Sequence, residues 1–284
     1  MTHRSPLDPA TETGTDLAPL ERLELDGRSV AYRRRGTGPP LVLLHGFIHD
    51  SRAWGHQLVD LADEFTVLAS DAPGAGGSSD PPDPFGIEDW AAHLAVFLDA
   101  LEVDPAFIVG LSWGGLLAQA FYQGYPARVR SLVLAETYAG WKGSLSAEVA
   151  EERLAAYLRD SLLPPAEFVP RYLPGMFSAS VATDVKDELA SIMADFHPLG
   201  FRLMATALAR ADTRDLLGAI RVPTLLIWGD QDARSPIAVA HALYASIPAA
   251  GLSVIQGAGH VSNMERPVEF NAIMRSFLAS GLEG

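Results

Sequence analysis

One stretch restricts the possible folds of this chain more than any other: Phe107-Ile108-Val109-Gly110-Leu111-Ser112-Trp113-Gly114-Gly115-Leu116-Leu117. Phe107 to Val109 are aromatic and β-branched, which suits a strand covered on both faces. Leu116 to Tyr122 favour a helix. The Gly110-x-Ser112-x-Gly114 between them reads as a sharp strand-to-helix turn, because small neighbours let the two elements approach closely. Such a turn lifts the Ser112 hydroxyl above a sheet and aims the first amides of the following helix at the same point, where they favour negative charge. A plain glycine-rich turn gives the same short pattern, so the rest of the chain has to supply the chemical context.

That context is an alternation of strands and helices. A hairpin is expected over residues 23–33 around Asp26-Gly27, a strong turn pair. Apolar strands follow at 41–44 and 65–69, with a helix between them capped by Asp50 or Ser51. A helix over 87–101, the Ser112 turn, and a strand over 130–134 continue the pattern. The alternation predicts an α/β fold with a mostly parallel sheet flanked by helices. After Glu136 the pattern changes, with helical stretches separated by Pro and Gly until about residue 217. Strands at 224–228 and 252–255 and helices at 235–247 and 267–279 then resume the alternation. The expected division is a flexible tail over 1–20, a core formed by 21–136 and 218–284, and a helical cap insertion over 137–217.

Composition removes several function classes. The formal charge of −14, from 35 acidic and 21 basic residues, disfavours nucleic acid and anionic lipid as partners. The chain has no cysteine, which excludes disulfides, thiolate metal sites and a cysteine nucleophile. No run of 18 apolar residues is present, so no membrane span is expected. Residues 1–20 lack the apolar core of a signal peptide, and a cytoplasmic location is the expectation.

A serine hydroxyl needs a base, and the usual base is a histidine oriented by a carboxylate. The strand at 224–228 runs into Gly229-Asp230-Gln231-Asp232, and the strand at 252–255 runs into Gln256-Gly257-Ala258-Gly259-His260. Ser112, Asp232 and His260 are therefore the candidates. His3, His56, His93 and His241 read as surface or core residues. His45 and His49 straddle Gly46 on a loop, without the helix and carboxylate that a zinc pair needs, so neither a metal nor another cofactor is expected. Gly74-x-Gly76-x-x-Ser79 lacks the third glycine of a dinucleotide-binding loop.

His45-Gly46-Phe47, the Asp71-x-Pro73-Gly74-x-Gly76-x-Ser78 loop, Gly110-x-Ser112-x-Gly114, Gly229-x-x-Asp232 and Gly259-His260 together resemble the α/β-hydrolase superfamily. The likeness covers about residues 22–280 and is to its capped branch of esterases, lactonases and cofactor-free haloperoxidases. It implies an oxyanion hole formed by the amides of Phe47 and Trp113, and a purely structural role for the Asp71 loop. Some members carry the acid after the strand that follows the nucleophile helix, which makes Glu136 an alternative to Asp232. Asp230 is expected to anchor the turn. Trp54, Trp141, Met176, Phe177, Phe196 and His197 are candidate pocket residues. No arginine stands clearly beside the motifs, and a small, largely apolar ester or lactone is the expected substrate. Carbon–carbon bond hydrolysis, perhydrolysis of the haloperoxidase kind, and a non-catalytic ligand-binding or receptor-like module are the alternatives. Phe47-Ile48-His49-Asp50 departs from the glycine- and proline-rich segment usual in carbon–carbon hydrolases. Dehalogenases and epoxide hydrolases of this fold need an aspartate where Ser112 stands.

Overall fold

The sheet begins at the turn that Asp26-Gly27 dictates. Both residues take positive φ, 50° and 74°, as a two-residue hairpin requires. They join β1 (Leu20–Leu25) antiparallel to β2 (Arg28–Arg35) in the computed structural model, which describes residues 17–280. The remaining strands are β3 (Pro40–Leu44), β4 (Thr66–Ser70), β5 (Ala106–Leu111), β6 (Val129–Ala135), β7 (Thr224–Gly229) and β8 (Gly251–Ile255). They lie in the order β1-β2-β4-β3-β5-β6-β7-β8. β2 meets β4 antiparallel, and every pairing from β4 to β8 is parallel.

Before β6 come α1 (Gly55–Asp60), α2 (Ile87–Ala100) and α3 (Trp113–Gly124). Between β6 and β7 run α4 (Trp141–Ser144), α5 (Ala147–Asp160), α6 (Pro165–Tyr172), α7 (Thr183–Ala194), α8 (Pro198–Arg210) and α9 (Arg214–Leu217). After β7 come α10 (Ile237–Ser246), α11 (Ser262–Glu265) and α12 (Pro267–Ser280). α2 packs on α3 and α1 on α12. Every residue of β5 and β7 is buried, which is why these strands read as unbroken apolar runs rather than as alternating ones. The single helix expected after Asp50 is divided into two 3₁₀ turns (Ser51–Trp54 and Leu61–Asp63) on either side of α1. Asp50 caps its start by accepting from the Arg52 amide at 2.9 Å. Among the described residues no helix is long and apolar enough to cross a membrane.

Most of the tail expected over 1–20 lies outside the described residues, but its last residues are part of the fold. Residues 1–16 lie outside the described residues, whereas Ala18 is buried, its carbonyl accepts from Arg33, and Leu20 already pairs with Arg33 across β1 and β2. Burial of the short apolar segment before β1 draws it onto the sheet.

Parallel strands bring their carboxyl ends to one edge, and the loops leaving that edge are sewn together. The Ser112 amide donates to Ala135, Glu136 to Ile227, Asp230 to Ile255 and Gln231 to Ala258, all at 2.8–3.1 Å. The helices between β6 and β7 are tied to the core partly by aromatic packing: Phe47 lies 5.1 Å from Tyr157 and 4.9 Å from Phe201. Burial of Phe47 and Phe201 contributes roughly 1.5–3 kcal/mol each.

The turn after β5 depends on backbone contact. A Cβ on Gly110 would stand 2.2 Å from the Gly114 carbonyl oxygen, and one on Gly114 would stand 2.1 Å from that of Leu44. Gly114→Ala is therefore expected to lower unfolding stability by more than about 3 kcal/mol or to prevent folding. Gly124→Ala, where nothing lies within 4 Å of the added carbon, should leave stability unchanged or raise it slightly. Urea titrations of both variants check the contrast, and equal midpoints would refute it.

Candidate active site

Ser112 sits at φ 53°, ψ −112° as the N-cap of α3. A non-glycine residue in such a region stores about 1–3 kcal/mol and persists only when its surroundings impose it. Here the surroundings do so through the Ser112 amide on Ala135 (2.8 Å) and the Thr137 hydroxyl, which donates to the Ser112 carbonyl at 2.5 Å. Thr137 is placed in turn by Ser235, whose hydroxyl donates to its carbonyl at 2.8 Å.

The loops after β7 and β8 deliver Asp232 and His260 to the same place. His260 Nδ1 lies 2.8 Å from Asp232 Oδ2, and its Nε2 lies 2.9 Å from Ser112 Oγ. An ionised carboxylate only accepts, so Nδ1 carries the proton and Nε2 is left to accept from the serine hydroxyl. Asp232 Oδ1 accepts from the amides of Arg234 (2.7 Å) and Ser235 (2.9 Å). These two bonds fix the carboxylate's orientation and leave Oδ2 for the imidazole. His260 is held by its own backbone as well, because its amide and that of Val261 both donate to the Met176 carbonyl, at 2.8 and 3.2 Å. Asp230 accepts from the Gly257 amide at 2.7 Å and so anchors the turn between these two loops.

Glu136 stands elsewhere. It is fully buried with φ 45°. Its Oε1 accepts from the Ser262 hydroxyl at 2.6 Å and the Gly229 amide at 3.1 Å, while its Oε2 has no partner. Burial pushes its carboxyl well above the usual range, and the Asp232 charge adds to that push. This carboxyl thus clamps the strand end before Asp232 to the residue two beyond His260.

The two residues expected to carry oxyanion donors are Trp113, next to Ser112 in the chain, and Phe47. Trp113 is the first residue of α3, where an amide has no partner inside its own helix. Phe47 shares a cavity with Ser112. The turn that carries Phe47 is fixed by His45, whose Nδ1 donates to the Gly46 carbonyl (2.8 Å) and whose Nε2 accepts from the Ala72 amide (3.0 Å). Asp71 spans its own loop, accepting from the amides of Ser51 (2.8 Å) and Gly77 (2.7 Å).

A cavity lies above Ser112 and His260. Of the residues expected to line it, Trp141 and Met176 do. Trp54 packs instead against Phe270, and Phe196 lies 6.2 Å from Phe47. Phe177 borders an outer groove with Pro170 and Lys186. His197 is engaged by Asp80 (2.7 Å) and the Gly76 carbonyl (3.1 Å). Hydrophobicity alone does not separate an aromatic that packs from one that lines a cavity, which is why these four fall elsewhere.

Sequence reasoning missed His49, Tyr138, Arg153, Tyr157, Leu208 and Arg234, which complete the wall. The expectation that no arginine stands near the site is corrected by Arg153 and Arg234. Arg234, two residues beyond Asp232, was within reach of inspection. Arg153 was not, because only the folding of α5 over the sheet edge brings it in. Burial lowers the His49 pKa well below the ordinary imidazole value, and neither of its ring nitrogens has a partner.

Comparison with known proteins places this geometry. A sequence model of the alpha/beta hydrolase fold family matches residues 39–191. A thermophilic esterase from Thermogutta terrifontis superposes with a TM-score of 0.85 at 30% identity, over 93% of this chain and 99% of that one. The 3-oxoadipate enol-lactonase 2 of Acinetobacter baylyi is 29% identical over 245 residues, 84% of this chain and 90% of its own length. The 2-hydroxy-6-oxo-2,4-heptadienoate hydrolase of Pseudomonas putida is 31% identical over 262 residues, 86% of this chain and 91% of its own length. Sequence, fold and relatives agree, and the chain belongs to the alpha/beta hydrolase fold family.

Proposed function

We propose that this hydrolase cleaves a carboxylic ester or lactone through an acyl-enzyme on Ser112, with residues 137–217 forming the cap over the site. The observation that carries the reading is the unbroken chain from Asp232 through His260 to Ser112, with contacts of 2.8 and 2.9 Å. In this reading His260 Nε2 takes the hydroxyl proton as Ser112 Oγ attacks the carbonyl carbon. Asp232 stabilises the imidazolium that results. The Phe47 and Trp113 amides receive the developing oxyanion, where each fixed donor contributes about 2.7–4 kcal/mol. His260 then protonates the leaving alkoxide, and a water activated by the same imidazole releases the acid. Likeness to an esterase and an enol-lactonase supports this class.

A second reading, hydrolysis of a carbon–carbon bond by the same residues, draws on the likeness to the Pseudomonas putida enzyme. Product analysis after incubation with 2-hydroxy-6-oxo-2,4-heptadienoate separates the two, since only the second predicts its cleavage.

Ser112→Ala is expected to lower kcat on 4-nitrophenyl esters by about 10⁶-fold with an unchanged circular dichroism spectrum. A folded variant with wild-type turnover would exclude the acyl-enzyme. Asp232→Asn should cost about 10⁴-fold in kcat, because an amide favours the wrong imidazole tautomer. Glu136→Gln should cost no more than about tenfold, since an amide oxygen can still accept from Ser262 and Gly229. The reverse ranking would move the acid to Glu136.

Glu136 also predicts a pH dependence of stability. Its folded-state pKa is raised, chiefly by burial, so its contribution to stability is fully present below the unfolded pKa, about 4.5, and is lost as pH rises toward the folded value. Glutamine does not titrate. The Tm of Glu136→Gln relative to wild type should therefore increase between about pH 4.5 and pH 8. A difference that stays constant with pH would contradict the buried neutral carboxyl.

A further inference from the structure

The cavity that contains Ser112 and His260 is walled on the cap side by Arg153 of α5 and on the core side by Arg234. Among the described residues neither guanidinium forms an ion pair with a carboxylate. Arg234 is committed to the backbone. It donates to the carbonyls of Tyr172 and Pro174 and to the Tyr157 hydroxyl (3.4 Å), and it lies 5.5 Å over the Tyr172 ring. It is a fixed positive charge. Arg153 is held only by neutral groups, with Nη1 donating to the Tyr138 hydroxyl at a long 3.3 Å and the guanidinium 5.9 Å from the Trp141 ring. A guanidinium presents five N–H donors in a planar fork that matches a carboxylate, so most of this fork is uncommitted.

A second, independent feature of the same cavity points the same way. Both ring nitrogens of His49 are buried without a partner. A wholly apolar occupant would leave them unpaired and would leave two positive charges without a counter-ion. An occupant with an anionic end and further oxygen atoms removes both penalties.

We propose that the substrate is a monoanionic ester or lactone, in which a carboxylate remote from the scissile carbonyl is bound by Arg153 with Arg234 as a fixed second charge. The inference rests on the ester- or lactone-hydrolase reading and replaces the largely apolar substrate expected from sequence. Trp141 and Tyr138 position the Arg153 fork, and the aromatic walls contact the hydrocarbon between the two ends. Distance between carboxylate and carbonyl is required, because a negative charge beside the forming oxyanion would raise the barrier.

The test uses the full chain and two substrates matched in length, mono-4-nitrophenyl glutarate and 4-nitrophenyl pentanoate, with spontaneous hydrolysis subtracted. The wild type is expected to favour the glutarate by about tenfold or more in kcat/KM, an advantage that shrinks with added salt. Arg153→Met should remove that preference, and Arg153→Lys should restore part of it because lysine keeps the charge but not the fork. The readout is a ratio between two substrates of one protein, so a general loss of activity cancels. Binding is measured separately by calorimetry on Ser112→Ala, with pentanoate and its uncharged counterpart pentanamide. Pentanoate should bind more tightly, and Arg153→Met in that background should erase the difference. Equal kcat/KM for the two esters in wild type, or a preference unaffected by Arg153→Met, overturns the proposal while leaving the hydrolase reading intact. Arg153-dependent pentanoate binding by a protein that hydrolyses neither ester would support the anion site and sink the hydrolase reading instead.

Discussion

A serine forced into a left-handed turn is the constraint on which the rest of this molecule depends. Ser112 at φ 53° can exist only where β5 and α3 nearly touch, and they touch because Gly110 and Gly114 place bare backbone against backbone. The strain is small beside the burial of β5, whose six residues are all inside. A strand so deeply packed can hold one residue in a conformation it would not choose alone. The same turn starts α3 immediately after the serine, so the first amides of that helix and the hydroxyl face one point. The proposed nucleophile and half of the proposed oxyanion hole are thus one feature of backbone geometry.

The partners of Ser112 come from distant parts of the chain, and parallel strand order is what gathers them. β5, β6, β7 and β8 end at one edge in sequence order, and backbone hydrogen bonds continue the ladder beyond the strands into Ser112, Glu136, Asp230 and Gln231. Glu136 contributes at the centre of this stitching. Its buried carboxyl grips Gly229 on one loop and Ser262 on the next. Burial favours the neutral acid there, which avoids a second negative charge near Asp232. A carboxyl that positions two loops and a carboxylate that orients an imidazole can therefore sit close together without competing.

The helices between β6 and β7 supply what the sheet edge lacks. Tyr157 and Phe201 pack on Phe47, so these helices meet the core at the residue expected to carry an oxyanion donor. The Met176 carbonyl receives the amides of His260 and Val261, so the segment between β6 and β7 also helps to fix the proposed base. With Arg153 in the cavity wall, the proposed specificity and part of the proposed catalytic geometry rest on the same segment.

Several features were legible in the sequence because they are local. The Asp26-Gly27 turn follows from the φ values those residues tolerate, the buried strands from unbroken apolar runs, and the strained serine from its glycine neighbours. Chain order supplied Asp232 and His260 as candidates, since each follows a late strand in a parallel sheet. Which carboxylate meets His260 was not legible, because Asp232 and Glu136 both leave the same sheet edge and only side-chain direction separates them; the structure puts Asp232 on the imidazole and Glu136 on Ser262. The pocket was decided by tertiary structure alone. Trp54 and Trp141 look alike in sequence, yet one packs against Phe270 and the other faces the cavity. Arg153 lies 41 positions after Ser112 in the chain and shares its cavity only because α5 folds across the edge of the sheet. Local backbone preferences are written residue by residue, whereas the facing of side chains across a cavity is set by the packing of elements far apart in the chain.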